Sequence, residues 1–440
     1  MKRHDAGTRT VQGEYMALAS DTPKDSFRLS MLIYDTRFRS ITIQVIVLVL
    51  FLLALSWLLN NTVQNLEAKG RTFDFGFLWQ RAGYDINQSL IPYTNDSSHG
   101  TALFVGLINT LVLAFFGCIF ATILGIIVGV LRLSNNWLIG RLMTVYVEVF
   151  RNIPLLLWIL LSYVIFSETM PSPRDFRVTD AMAAAGEAPA ASMILFDSVA
   201  ITNRGLDIPA PLMTRTLGSV DLGYVTVNLS AIVFLLIVAA SIYVNTRILA
   251  KARKIQEDTG VRPKTLWQSL AVLFLPALVF LVAFGFHLDY PTLQGFNFAG
   301  GIQIAHSFTA LLIALALYTA AFIAEIVRAG IIAISKGQSE AAFALGLRPN
   351  RTMKLIILPQ ALRVIIPPLI SQYLNLTKNT SLGIAVSYLD LRGTLGGITL
   401  NQTGKELECM LLMMLIYLTI SLTISSLMNV YNSSVKLKER

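Results

Sequence analysis

The chain has 440 residues, of which 54% are hydrophobic and only 14% charged, and its formal net charge is +9. Soluble domains carry about 25% charged residues, so the composition excludes an ordinary soluble protein and implies a chain that crosses a membrane several times. The basic excess is spread over short loops between apolar runs, which reads as membrane topology and not as a nucleic-acid-binding patch.

Residues 1–40 are polar and hold seven Lys/Arg. They are too long and polar to be a secretory signal peptide. Residues 41–59 are long and apolar enough to span, and 60–103 form a loop. The run 104–131 exceeds the length a bilayer needs, which implies tilt or an overhanging end. A short basic stretch, 132–151, leads to a third span ending near Phe166. Residues 167–228 are a long loop whose Ala/Pro-rich part, 181–191, reads as partly flexible. Two further spans, 229–245 and 269–286, are joined by the basic stretch 247–264. The sixth span covers 305–327, and a polar loop, 325–363, follows it. The seventh, 364–386, is read as interrupted by Pro367-Pro368, and it contains Asn375 and Lys378. The last span is 408–430, before a basic tail, 431–440.

Numbering the loops alternately puts 25 of the 35 Lys/Arg on one side and 9 on the other, with Lys378 inside a span. The positive-inside rule makes the richer side cytoplasmic. Eight spans with both termini in the cytoplasm follow, and the 325–363 loop lies on the cytoplasmic side.

That loop has more internal pattern than a connector needs. Glu340-Ala341-Ala342 opens a short amphipathic helix, with Ala341, Ala342 and Leu345 expected along one side. Gly346 ends it, since glycine tolerates the left-handed conformation of a helix C-terminus. Pro349 starts a second helix carrying Arg351 and Lys354, and Pro359 is expected to limit it. Two short helices joined at a glycine make a knob suited to a groove on another protein.

Glu340-Ala341-Ala342, Gly346, Ile356 and Leu358-Pro359, at these spacings, resemble the EAA loop of ABC importer permeases. The flanking 324–330 and 336–338, the stretch 376–382 and a second motif at 146–156 are similar to the polar amino-acid uptake branch. The resemblance covers 104–166 and 305–430. It implies an all-α integral membrane fold, the type I importer permease, with the EAA loop as the element that couples to a cytoplasmic ATPase. Residues 41–103 are then an added span and loop, and 167–304 an inserted loop and helical hairpin. The implied partners are ABC ATPase subunits, a second permease subunit, read as a related but different chain, and a periplasmic amino-acid-binding protein. The implied location is a bacterial inner membrane, among its lipids.

No cofactor is expected in this chain; ATP and magnesium belong to the ATPase. The Gly404-Lys405 pair lacks the Ser/Thr and the preceding glycine of a phosphate loop. Cys118 and Cys409 lie in apolar runs, and four scattered histidines give no metal spacing. No catalytic residue is assigned. The expected function is transport of L-amino acids, of broad specificity. The competing reading, an ion-coupled secondary transporter, would call for more mid-membrane acids and an internal repeat.

Ionisable groups within spans are functional candidates, and Lys378 is the clearest. The resemblance places it on the substrate path, where it would meet an α-carboxylate with help from Thr377, Thr380 and Ser381. The alternatives are a snorkelling lysine or a pair with a carboxylate on another span. Asn375 is a further path candidate. Asn379 stands where relatives of this branch often carry aspartate, which argues against strict selectivity for basic amino acids. Glu325 and Arg328, three apart on one helix, are expected to pair.

Overall fold

The computed structural model describes residues 36–68, 70, 73–178, 188–221 and 226–435. The expectations for most of the N-terminal segment, for most of the 181–191 stretch and for the final five residues lie outside these. Two compact units divide after Phe73. The first contains helix α1 (Thr36–Ala68), 33 residues and strongly apolar.

The second unit is mostly helical. Helix α2 (His99–Leu131) starts at Ser98, whose Oγ accepts from the Thr101 amide at 3.2 Å. Helix α3 (Trp137–Asn152) is capped by Asn136. Here the structure departs from the expected basic loop. Met143, Tyr146, Val147 and Phe150 recur at helical spacing and pack near Ala321 and Ala324. Pro154 lacks an N–H and breaks the helix, and α4 (Leu155–Val164) continues at 104° through a π-turn to Thr169.

Helices α5 (Leu229–Thr259) and α6 (Leu266–Ala283) form a helical hairpin within the segment 167–304, which the sequence predicts to be an insert. The expected basic connector is largely a polar extension of α5, ended by Gly260 at φ +72°. Helix α7 (His306–Ile332) leads to α8 (Lys336–Ala344) and the single turn α9 (Pro349–Thr352). A π-turn, Met353–Ile357, joins α9 to α10 (Leu358–Asn379), which runs into a 3₁₀ segment, Thr380–Val386. Helical turns over 391–403 precede α11 (Glu406–Val435). Seven described helices are long and apolar enough to span, and the bent α3–α4 pair makes an eighth.

Neither proline site behaves as the sequence suggested. Pro367 and Pro368 lie inside a continuous α10. Pro359 sits in the first turn of α10, where its missing N–H is tolerated. The π-turn just before it absorbs the change of register.

The segment 167–304 also contains strands where the sequence predicts loop. Their short, irregular runs carry no clear two-residue alternation. β1 (Ala200–Thr202), β2 (Gly205–Ile208) and β9 (Ile302–Ala305) form an antiparallel sheet, with Asp207 opposite Gln303. β3 (Ala210–Met213) pairs with β6 (Phe286–Asp289) and closes the base of the α5–α6 hairpin. β4 (Ser219–Asp221) pairs with β5 (Thr226–Asn228), and β7 (Thr292–Gln294) with β8 (Asn297–Ala299).

The centre of the second unit is the contact of α2 with α7. Association of helices in a membrane rests on close packing of small residues. A Cβ at Gly125 would lie 2.6 Å from the Ile323 Cβ, and one at Gly129 would lie 2.7 Å from the Ala324 carbonyl. Ala121 of α2 and Ala320, Ala321 and Ala324 of α7 are buried in the same zone.

Candidate functional site

Two groups of residues stand on the stretch from Lys336 to Val386. The first is the knob of α8 and α9. Helix α8 begins at Lys336, four residues before Glu340, with Ser335 at its N-cap position. Its C-terminus is a Schellman motif. The Leu347 amide donates to the Ala342 carbonyl at 3.0 Å and the Gly346 amide to the Phe343 carbonyl at 2.9 Å. Gly346 takes φ +76°, which glycine adopts without steric cost. The Gln360 Nε2 donates to the Gln338 Oε1 at 3.4 Å, tying α10 back to α8.

The sequence placed Ala341, Ala342 and Leu345 on one side. The structure separates them: Ala341 and Leu345 are exposed, whereas Ala342 is 1% exposed. Ala342 therefore holds the knob together from inside. Glu340 and Gly346 are exposed, Ile356 and Pro359 half-buried, and Leu358 exposed. Phe343, Leu345, Met353 and Leu355 are large apolar side chains left open, with Leu345 81% exposed. Sequence reading had not assigned Phe343, Met353 or Leu355 to this surface. The signal was their apolar character within a polar loop.

The second group is at the other end of α10. Asn375 and Lys378, three residues apart, are exposed on one face. Among the described residues the Lys378 ammonium has no ion-pair partner, so the pairing with a carboxylate on another span is not present within this chain. Asn379 is half-buried, and Ser381 donates to the Lys378 carbonyl at 2.7 Å. Thr377, buried and donating to the Tyr373 carbonyl at 2.8 Å, does not join this face, and neither does Thr380. Thr380 is buried and donates to the Thr377 carbonyl at 3.0 Å, with the Asp390 carboxylate 3.4 Å away.

Asp390 was missed by the sequence reading. It is fully buried between the seventh and eighth spans and caps a short turn by accepting from the Gly393 amide at 2.9 Å. The Tyr417 hydroxyl donates to its other oxygen at 3.2 Å. Burial raises its pKa from the ordinary carboxylate value to about 6, against the opposing effect of these donors. Beside it the Leu391 amide donates to Thr110 Oγ1 at 3.0 Å, and Tyr388 OH to the Asn109 carbonyl at 3.0 Å. Asn109 and Thr110 are thus helix-packing residues.

The expected Glu325–Arg328 pair is present, with Arg328 Nη2 donating to Glu325 Oε1 at 2.6 Å. A second cation, Arg132, reaches the other oxygen of the same carboxylate.

Known proteins resemble this chain over nearly its whole length. The family of binding-protein-dependent transport system inner membrane components matches residues 265–437. The glutamate/glutamine/aspartate/asparagine transport system permease protein BztB of Rhodobacter capsulatus is 69% identical over 426 residues, which cover 97% of this chain and 100% of that protein. The general L-amino acid transport system permease protein AapQ of Rhizobium johnstonii is 43% identical, covering 94% of this chain and 96% of the relative. The putative amino-acid ABC transporter permease protein YhdX of Escherichia coli is 42% identical, covering 90% and 94%.

Proposed function

Because this chain belongs to the permease subunits of amino-acid ABC importers, we propose that the knob of α8 and α9 is the surface on which a cytoplasmic ATPase subunit docks. The chain is a multi-span transport subunit, not an enzyme. Importers of this family work with ATPases, a second permease subunit and a binding protein. The observation that carries the docking reading is the exposed apolar set Phe343, Leu345, Met353 and Leu355, on a segment that the charge distribution puts in the cytoplasm. ATP and magnesium are held by the ATPase, and this chain supplies the receiving surface.

The knob and Lys378 share one helical rod. From Leu358 to Lys378 the rise is about 30 Å at 1.5 Å per residue, with no break at Pro367-Pro368. A displacement of the knob that reaches the start of α10 through the π-turn is therefore carried along one unbroken helix to the Asn375–Lys378 face. On that face Lys378 binds the substrate α-carboxylate, with Asn375, Asn379 and Ser381 around it. A polar face with an unpaired ammonium on a membrane span needs cover, and a second permease subunit, a related but different chain, provides it.

The substrates are L-amino acids over a broad range that includes glutamate, glutamine, aspartate and asparagine, the compounds in the name of the 69%-identical relative. They arrive on a periplasmic binding protein. The relatives give no support to an ion-coupled transporter. Both termini lie in the cytoplasm and the chain in the inner membrane. Reporters fused after residue 200 and near residue 256 test this orientation. The first should report the periplasm and the second the cytoplasm, and the reverse pair of signals would detach the knob from any ATPase.

A further inference from the structure

The insert encloses a polar cavity of about 400 Å³ against the tips of α4, α7 and the 3₁₀ segment after α10. Its wall includes Arg204 from the β1–β2 turn, Asn297 at the start of β8, His306 at the start of α7, Tyr163 and Ser387. The size suits a small ligand. Among the described lining residues Arg204 is the charged one and none is acidic. Its side chain is exposed and donates from Nη1 to the Phe296 carbonyl at 3.2 Å, and no ion pair among the described residues occupies the rest of the fork. A guanidinium in this condition matches a carboxylate in geometry and charge.

The cavity also holds acceptors. The ring of His306 packs on Tyr163 with centroids 5.0 Å apart, and its Nδ1 contacts the Arg204 carbonyl at 3.3 Å. A carbonyl only accepts, so Nδ1 carries the proton and the lone pair of neutral His306 is on Nε2. Ser387, which ends the 3₁₀ segment at φ +58°, adds an exposed hydroxyl on the rim.

We propose that this cavity is an extracytoplasmic vestibule that holds a free amino acid, its carboxylate on Arg204 and its ammonium against Ser387 Oγ and His306 Nε2. It would act before the substrate meets Lys378. The inference rests on the amino-acid permease reading and adds a second site, built by the insert. A lone carboxylate would leave the acceptors unused, so the zwitterion accounts for more of the wall than an acidic side chain of a docked protein does.

The test is saturation-transfer NMR on the complete transporter in nanodiscs, without the binding protein. The probes are L-glutamine, its α-amide, which lacks the carboxylate, and N-acetyl-L-glutamine, which lacks the ammonium. L-glutamine should receive saturation, and both analogues should bind about tenfold more weakly or worse, as expected for loss of a charge-assisted contact. Arg204→Gln should weaken L-glutamine by a similar factor, and Arg204→Lys should restore part of it. All variants are compared in a Lys378→Met background, which removes the path site, so that the remaining signal reports the cavity. Equal binding of the α-amide, or an unchanged signal in Arg204→Gln, would overturn the vestibule. So would an Arg204→Gln protein that keeps the signal but loses the binding protein, since Arg204 would then be a docking residue. If the wild-type transporter, supplied with its binding protein and ATP, takes up no amino acid, the permease reading fails instead.

Discussion

Arg132, at the end of α2, donates to the carboxylate of Glu325 in α7, 193 positions later. The Arg132 side chain is only 8% exposed and Glu325 26%, and Arg328 occupies the other carboxylate oxygen at 2.6 Å. One carboxylate thus fastens two spans just beyond the Gly129 end of their glycine-lined contact. Glu325→Ala would leave two cations facing each other, with Arg132 largely buried. Removing one partner of a partly buried charged bond costs about 2 kcal/mol. Thermal unfolding of the purified complex should shift down for Glu325→Ala, and less for Arg328→Ala, whose side chain is more exposed. Equal, negligible shifts would mean that the α2–α7 contact does not depend on this clasp.

The Asp390 carboxyl, raised to about 6 by burial, makes stability depend on pH. Its ordinary value is about 4. Between the two the folded protein binds more protons at this site than the unfolded chain does, so stability falls as pH rises through that window and levels off above it. Asp390→Asn keeps an oxygen for the Gly393 amide and removes the titration. Unfolding temperatures followed from pH 4.5 to 8 should slope downward more steeply in the wild type than in Asp390→Asn. Parallel profiles would place the titrating group elsewhere.

The proposed path divides substrate recognition between Lys378 and Asn379. Loss of a contact to the shared α-carboxylate should lower uptake of every amino acid together, so Lys378→Met is expected to reduce all classes by a similar factor. Asn379→Asp adds one fixed negative charge and should shift uptake toward lysine and arginine and away from glutamate. Competition assays in vesicles read both. A methionine variant with unchanged transport would leave Lys378 a snorkelling side chain.

How much of this was written in the sequence depends on whether the cause is local. The spans were legible because hydropathy is a property of consecutive residues, and the Gly346 turn because its φ of +76° favours glycine. The knob was legible as a pattern, but its inside was not: Ala341 and Ala342 are chemically alike, and only packing puts one out and the other in. Pro359 misled, because a proline in the first turn of a helix reads the same as one that stops the previous helix. The strands of the insert are three or four residues long, and β2 finds its partner β9 only after a helical hairpin intervenes. The partner of Glu325 at Arg132 and the burial of Asp390 are likewise products of tertiary contact, invisible to spacing.

The central claim is that the exposed face of the knob transmits ATP hydrolysis to the path. Leu345 is 81% exposed and makes no core contact, so Leu345→Asp leaves the permease fold alone and places a charge in the docking surface. The decisive measurement is ATP-dependent uptake of glutamate into proteoliposomes holding the complete transporter, with the amount of ATPase bound to the permease measured in the same preparation. The account predicts normal membrane insertion, with ATPase association weakened at least about tenfold and uptake falling with it. Uptake and ATPase association both at the wild-type level in Leu345→Asp would contradict it.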